Sequence, residues 1–165
     1  GVVAFEIERI TEQKIGGGDM LEVKFYDTVD DALLKFAVII SQSSGKWVMC
    51  KHKERDTYEV PGGHREEGED ILDTAKRELQ EETGAIKFEL RPLCVYSVTG
   101  KTNVNENGEE SFGLLCFAEI MKFSGRLECE IEKVELMEKL PDNWTYPLIQ
   151  PKLIEEYERR KYYVL

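Results

Sequence analysis

Six glutamates crowd one short stretch of this chain. The segment GGHREEGEDILDTAKRELQEETGAI, Gly62 to Ile86, carries Glu66, Glu67, Glu69, Glu78, Glu81 and Glu82. From Asp70 to Thr83 it reads as a helix, because Ile71, Leu72, Ala75 and Leu79 recur at near-helical spacing, no proline interrupts, and Gly84 supplies a stop. At about 100° per residue, Glu78, Glu81 and Glu82 share one edge beside the apolar stripe, with Lys76 and Gln80 on the solvent side. Like charges at these spacings destabilise a helix by roughly 0.2–0.5 kcal/mol per pair. A bound divalent cation removes the conflict. Hard cations such as Mg²⁺ take oxygen ligands, usually one or two carboxylates, with substrate phosphates and waters completing the shell. Gly62 and Gly63 let the preceding turn approach closely, so that a backbone carbonyl can join them. A solvated acidic helix face is the alternative that these residue types alone leave open.

The spacing decides between the two. Gly63, five residues, Glu69, seven residues, Arg77-Glu78-Leu79, one residue, Glu81-Glu82, one residue, Gly84 resembles the signature of the Nudix hydrolases at every fixed position. Ala85 departs mildly, since the family prefers a larger aliphatic there, and Ile86 is expected to take that packing role. The resemblance implies an α/β/α sandwich with a mixed β-sheet, and hydrolysis of a pyrophosphate bond in a nucleoside diphosphate linked to another group. It implies Mg²⁺ (or Mn²⁺) as cofactor, held by Glu78, Glu81 and Glu82, with the Gly62 carbonyl as a further ligand. Arg77 resembles the arginine that pairs with and orients a signature glutamate, here Glu69. The general base is either Glu78 or a carboxylate of a later loop, with Glu128, Glu130 and Glu132 as candidates.

The stretch HKERDTYEVPGGHREEGE is most similar to MutT-type enzymes, which hydrolyse nucleoside triphosphates including oxidised purine forms such as 8-oxo-dGTP. ADP-ribose, another nucleoside diphosphate derivative, or RNA 5′ ends form the alternative substrate set. A catalytically silent, nucleotide-sensing module is a third reading. Such modules typically lose signature glutamates, and here all four are present.

Length and composition bound the rest. At 165 residues the expectation is one domain, with residues 1–19 as an N-terminal extension or edge strand. No apolar run approaches the length of a membrane span and no leader-like segment is visible, so a cytoplasmic protein is expected. Cys50, Cys94, Cys116 and Cys129 lie far apart without a CxxC pair, which favours reduced thiols over a metal or disulfide framework. A net charge of -11 argues against long-range attraction to nucleic acid. The expected partner is therefore a small-molecule nucleotide, with no membrane association and with monomer and homodimer both open. An anionic substrate then needs a bridging metal and a local basic cluster.

That cluster is Lys51, His52, Lys53 and Arg55, just upstream of the glycines. Arg55 is best suited to grip phosphate because its planar fork binds two oxygens at once, and Lys53 can assist. Tyr58 is the leading candidate to stack on a base, with Tyr96, Phe112 and Trp47 behind it, although core packing competes for each. His64 either touches phosphate or faces solvent.

The elements that must position these residues follow from periodicity. Strands are expected over 21–27, 33–41, 46–53, 87–100 and 111–123, the second buried on both faces. Pro92 restricts its strand to an edge or a bulge there. Asn107-Gly108 marks a hairpin turn. A C-terminal helix begins near Pro147 or Pro151, with Leu153, Ile154, Tyr157 and the Tyr162 region on its apolar side.

Overall fold

The structure, a computed structural model, describes residues 6–15, 19–101, 106–127 and 130–161. Eight strands form one mixed sheet: β1 (Glu6–Ile15), β2 (Asp19–Tyr26), β3 (Leu34–Ser43), β4 (Lys46–His52), β5 (Gly62–His64), β6 (Ala85–Thr99), β7 (Ser111–Phe123) and β8 (Ile131–Met137). Two helices complete it, α1 (Ile71–Thr83) and α2 (Gln150–Arg160). Spatial order is β1-β2-β6-β7-β3-β4-β8, with β5 beside β3. Among these strands only β3 and β7 pair in parallel, Val38 standing opposite Leu115.

Alternation along the central strands explains the layers. On β3, Val38 and Ile40 join the core beneath α2, with Leu153, Ile154 and Tyr157. Ala37 and Ile39 join the core beneath α1, with Ile71, Ala75 and Leu79. Successive side chains of a strand point to opposite faces, so an apolar run fills both cores at once. The two helices thus cover opposite faces, as an α/β/α sandwich requires.

Tyr157 stacks on Phe117 at 4.6 Å between ring centroids and meets the edge of Trp47 at 6.0 Å. Tyr96 is buried against Phe36, and Phe112 packs on Tyr26. Trp47, Tyr96 and Phe112 are therefore packing residues. Tyr162 and Cys129 lie outside the described residues, while Cys50, Cys94 and Cys116 are buried free thiols.

Residues 6–15 form an edge strand paired with β2. Pro92 sits at a register shift between β6 and β7 and beyond the segment that pairs with β2, a bulge position of the kind that admits proline. Asn107-Gly108 falls within the longer loop between β6 and β7, where the Gly108 carbonyl accepts from Gly100 N–H. The position after the signature glycine reverses the expectation for it: Ala85 is buried beneath α1, and Ile86 is 53% exposed. Strand parity leaves one of two neighbours facing the core, and the first takes that place. Among the described residues, no helix is long and apolar enough to cross a membrane.

Candidate active site

The site is built where α1 passes over β4 and β5. Asp70 caps the helix by accepting from Leu72 N–H, and Gly84 ends it with φ +76, a left-handed turn that suits glycine. These caps fix the length of α1 and so the height of its last two turns. Ile71, Ala75 and Leu79 bury its apolar stripe, while Lys76 and Gln80 are exposed. Glu78, Glu81 and Glu82 then project from the adjoining edge, Glu78 and Glu82 against the glycine turn.

Glu82 is buried, its Oε1 accepting from Gly62 N–H at 2.8 Å. Glu78 reaches Gly63 so closely that a Cβ on that glycine would fall 2.0 Å from Oε2. A side chain at residue 63 is excluded by a carboxylate. Glu81 is the most exposed of the three, at 44% of its side chain.

Arg77 organises the neighbouring acids. Its Nε donates to Glu69 Oε2 at 2.7 Å and its Nη2 to Glu69 Oε1 at 3.0 Å, a two-pronged pair of the kind that fixes orientation. Nη1 donates to Glu78 Oε1 at 2.7 Å and stands 3.4 Å from Glu81 Oε2, and Nη2 also meets the His64 carbonyl. Glu69 additionally accepts from Thr74 Oγ1 and Glu66 N–H. Hydrogen bonds from Arg77, then Thr74, pull the Glu69 carboxyl down to about 2. His64 is exposed, edge-on to Phe36.

The helix carboxylates behave oppositely. Burial pushes Glu78 up to about 7 against the opposing pull of Arg77, with Glu81 adding to the rise. Burial pushes Glu82 up to about 8 against the bond from Gly62, and the charges of Glu78, Glu59 and Glu130 raise it further. Crowded, partly desolvated carboxylates resist ionising together unless a cation joins them.

This donor set fits a hard divalent ion. Among the described residues no three carboxylate, imidazole or thiol groups stand in ready ligating geometry. Arg77 Nη1 instead lies between Glu78 and Glu81 as the local positive charge. Mg²⁺ is satisfied by one or two carboxylates plus phosphate and water oxygens, and Glu78, Glu81, Glu82 and the glycine turn supply such donors.

A pH-dependent stability follows, with a definite sign. Carboxyls raised above their ordinary value stabilise the metal-free fold fully below about pH 4.5, and that contribution is lost as pH rises through about 7 and 8. Glu69 runs the other way, its contribution being lost as pH falls toward 2. An Mg²⁺ ion on these carboxylates would compete with the protons on Glu78 and Glu82, so its stabilisation should grow with pH. At a hundred times its dissociation constant at pH 8, the ion is expected to raise Tm by about 5–10 °C over chelator. Differential scanning fluorimetry should give a smaller rise at pH 6; an equal or larger rise there would contradict the assignment.

The basic cluster separates by strand parity. Val48 faces the α1 core, and Cys50, two residues on, donates its thiol to the Glu82 carbonyl at 3.3 Å. His52, two further on, points the same way, and its Nε2 lies 3.4 Å from Glu82 Oε2 and 3.4 Å from Glu59 Oε2. Lys51 instead pairs with Glu132 across the sheet at 2.6 Å, which holds that carboxyl below the usual range. Arg55 donates to Glu59 Oε1 at 2.9 Å and lies over the Tyr146 ring, with 42% of its side chain exposed.

Lys53 is exposed, and its N–H bonds the Glu130 carbonyl. Glu130 thereby lies near enough to influence Glu82, while Glu128 is outside the described residues. Tyr58 is half-buried, bridged to Trp144, with Lys133 over its ring at 5.6 Å.

His52 and Glu59 join the site without a role assigned to either from the sequence. The signal for His52 was the period of β4, which separates it from Lys51, whereas Glu59 lies beyond that strand and carried none.

A sandwich of this topology, with a capped acidic helix following a glycine turn, defines a Nudix domain. The NUDIX domain model matches residues 32–147, and the chain belongs to the Nudix family. It is 34% identical over 110 residues to the Bacillus subtilis (strain 168) protein named "Putative 8-oxo-dGTP diphosphatase YtkD", covering 66% of this chain and 65% of that one. The match therefore spans less than two thirds of that relative's length. The Bacillus subtilis pyrophosphohydrolase BsRppH, solved as a mutant, superposes with TM-score 0.72 at 25% identity, covering 92% of this chain and 98% of that one. An ADP-ribose pyrophosphatase from Streptococcus suis shares the fold with TM-score 0.55 at 12% identity, covering 76% and 90% of the two chains.

Proposed function

We propose that this protein hydrolyses a pyrophosphate bond of a nucleoside triphosphate, with oxidised purine forms such as 8-oxo-dGTP among its substrates, using Mg²⁺ or Mn²⁺. The observation that carries the reading is that Glu78 and Glu82 meet the glycine turn, with Glu81 beside Glu78 at Arg77 Nη1 and the Glu78 and Glu82 carboxyls raised by burial. The name of the Bacillus relative YtkD supports the substrate class, and that of BsRppH supports a pyrophosphohydrolase.

Glu78, Glu81, Glu82 and the Gly62 carbonyl would hold the ion. When bound, such an ion lowers the pKa of water and neutralises charge gathering on the phosphates. Arg77 and Glu69 act as a clamp that fixes the edge of α1 from which the ligands project. Glu78 is the signature candidate for the general base, and Glu130 is the later-loop candidate. Glu132 is less suited because Lys51 already engages it. Arg55 and Lys53 line the approach to the site and supply positive charge for the substrate phosphates. Tyr58, with Trp144 and the exposed Tyr146, offers aromatic surface for the base.

A mass-spectrometric screen tests the reading directly, with nucleoside triphosphates (oxidised forms included), nucleotide sugars, ADP-ribose and dinucleotides as candidates. Metal-dependent release of pyrophosphate or phosphate from triphosphates is the expected result. Conversion of ADP-ribose to AMP and ribose phosphate, without triphosphate turnover, would replace the substrate assignment.

A further inference from the structure

Behind the ion-binding carboxylates lies a buried relay that the reaction described so far does not use. Glu59 is only 6% exposed, and a carboxylate taken out of water is costly unless partners hold it. Arg55 Nη1 holds its Oε1 at 2.9 Å, and His52 Nε2 lies 3.4 Å from its Oε2. That imidazole nitrogen is sealed from solvent and has no hydrogen-bond partner, although Glu82 Oε2 also stands 3.4 Å away. One oxygen of Glu82 is already fixed by Gly62 N–H at 2.8 Å. The orientation of its carboxylate therefore rests on what its second oxygen meets.

We propose that His52 is a positioning residue for Glu82. Carrying its proton on Nε2, it donates to Glu82 Oε2, while Glu59, which faces the same nitrogen with its Oε2, is already held by Arg55 at its other oxygen. A buried donor left unmade is costly, so the N–H must serve one of its two carboxylates. Closing 3.4 Å to an ordinary N–H···O distance takes a shift of only about half an ångström. With its two oxygens held by Gly62 and His52, Glu82 presents its remaining lone pairs in one fixed direction. Groups that hydrogen-bond a metal ligand orient it and sharpen its affinity. Arg55 keeps its other nitrogens free of this task, so the relay leaves its phosphate-binding role intact. The inference rests on the proposed function in taking Glu82 as a ligand of the divalent ion.

The test is Mn²⁺ binding without nucleotide, followed by calorimetry and by electron paramagnetic resonance of the ion. The proteins are the full chain and its His52→Ala, His52→Gln, Glu59→Gln and Glu82→Gln variants, with unfolding in chelator as the check on folding. His52→Ala is expected to weaken Mn²⁺ about 10–100-fold. His52→Gln, whose amide N–H reaches toward the same oxygen, should recover most of that loss, whereas a purely structural role would leave the two variants alike. Glu59→Gln should weaken binding several-fold and carries the test should the alanine variant fail to fold. Wild-type affinity in folded His52→Ala or in Glu59→Gln, or equal loss in the alanine and glutamine variants, would overturn the proposal. Failure of the underlying reading is distinct, since Glu82→Gln would then itself bind Mn²⁺ as the wild type does.

Discussion

Glu82→Gln is expected to lower turnover by about 10²–10³-fold, since a metal ion contributes several kcal/mol of transition-state charge stabilisation and each 1.36 kcal/mol is tenfold in rate. The substitution keeps the shape of the side chain. Its Oε1 can still accept from Gly62 N–H, now at 2.8 Å from Glu82, so the turn that follows β4 should be undisturbed. Stability should move the opposite way. Burial already pushes Glu82 up to about 8, and an amide imitates the protonated form. In chelator at pH 8 the variant should therefore melt above the wild type, while Mg²⁺ stabilises it less. Steady-state kinetics and thermal unfolding check both halves. Near-normal turnover, or a lower melting temperature in chelator, would remove Glu82 from the metal-binding set.

Gly63→Ala should be the second most damaging change, by a steric route. The new methyl would lie 2.0 Å from Glu78 Oε2, 2.3 Å from Cδ and 2.7 Å from Oε1. These atoms are the far end of a side chain that can turn aside, so unfolding free energy should fall by no more than about 1–3 kcal/mol. Catalysis has no such freedom. Glu78 would have to leave the position where Arg77 Nη1 holds it at 2.7 Å, and misplacement by about 1 Å costs on the order of 10²-fold in rate. A folded variant with at least about half the wild-type activity would show that Glu78 is not held in place for the reaction.

How much of this was legible beforehand depends on how local each feature is. The helix was readable to within a residue because its stripe, its Asp70 cap and its Gly84 stop are all local. β7 was equally readable and β3 to within two residues, because their apolar runs fill two cores. The Arg77–Glu69 pair was expected from the resemblance, and its two-pronged geometry is what the structure adds.

Features made by distant pairing were harder to read. The N-terminal alternation suits an edge strand or an extension equally until β2 is in place beside it. β5 has three residues, too few for any periodicity, and exists because β3 pairs with it. Ala85 and Ile86 were assigned the wrong way round because their parity is set by where β6 leaves the helix. His52 was hidden in a run of cations that strand alternation divides between two faces. Glu59 read as one more acid in an acidic chain, and its burial appears only once β4 and the glycine turn fold together.

The central claim is that the α1 carboxylates hold a divalent ion on which pyrophosphate hydrolysis depends. Its most direct test is 8-oxo-dGTP turnover by the wild-type chain, followed by mass spectrometry first in chelator and then with Mg²⁺ added back. No product in chelator, with 8-oxo-dGMP and pyrophosphate appearing on addition of Mg²⁺, is the expected result. Turnover that continues unchanged in chelator, or none under either condition, would contradict it.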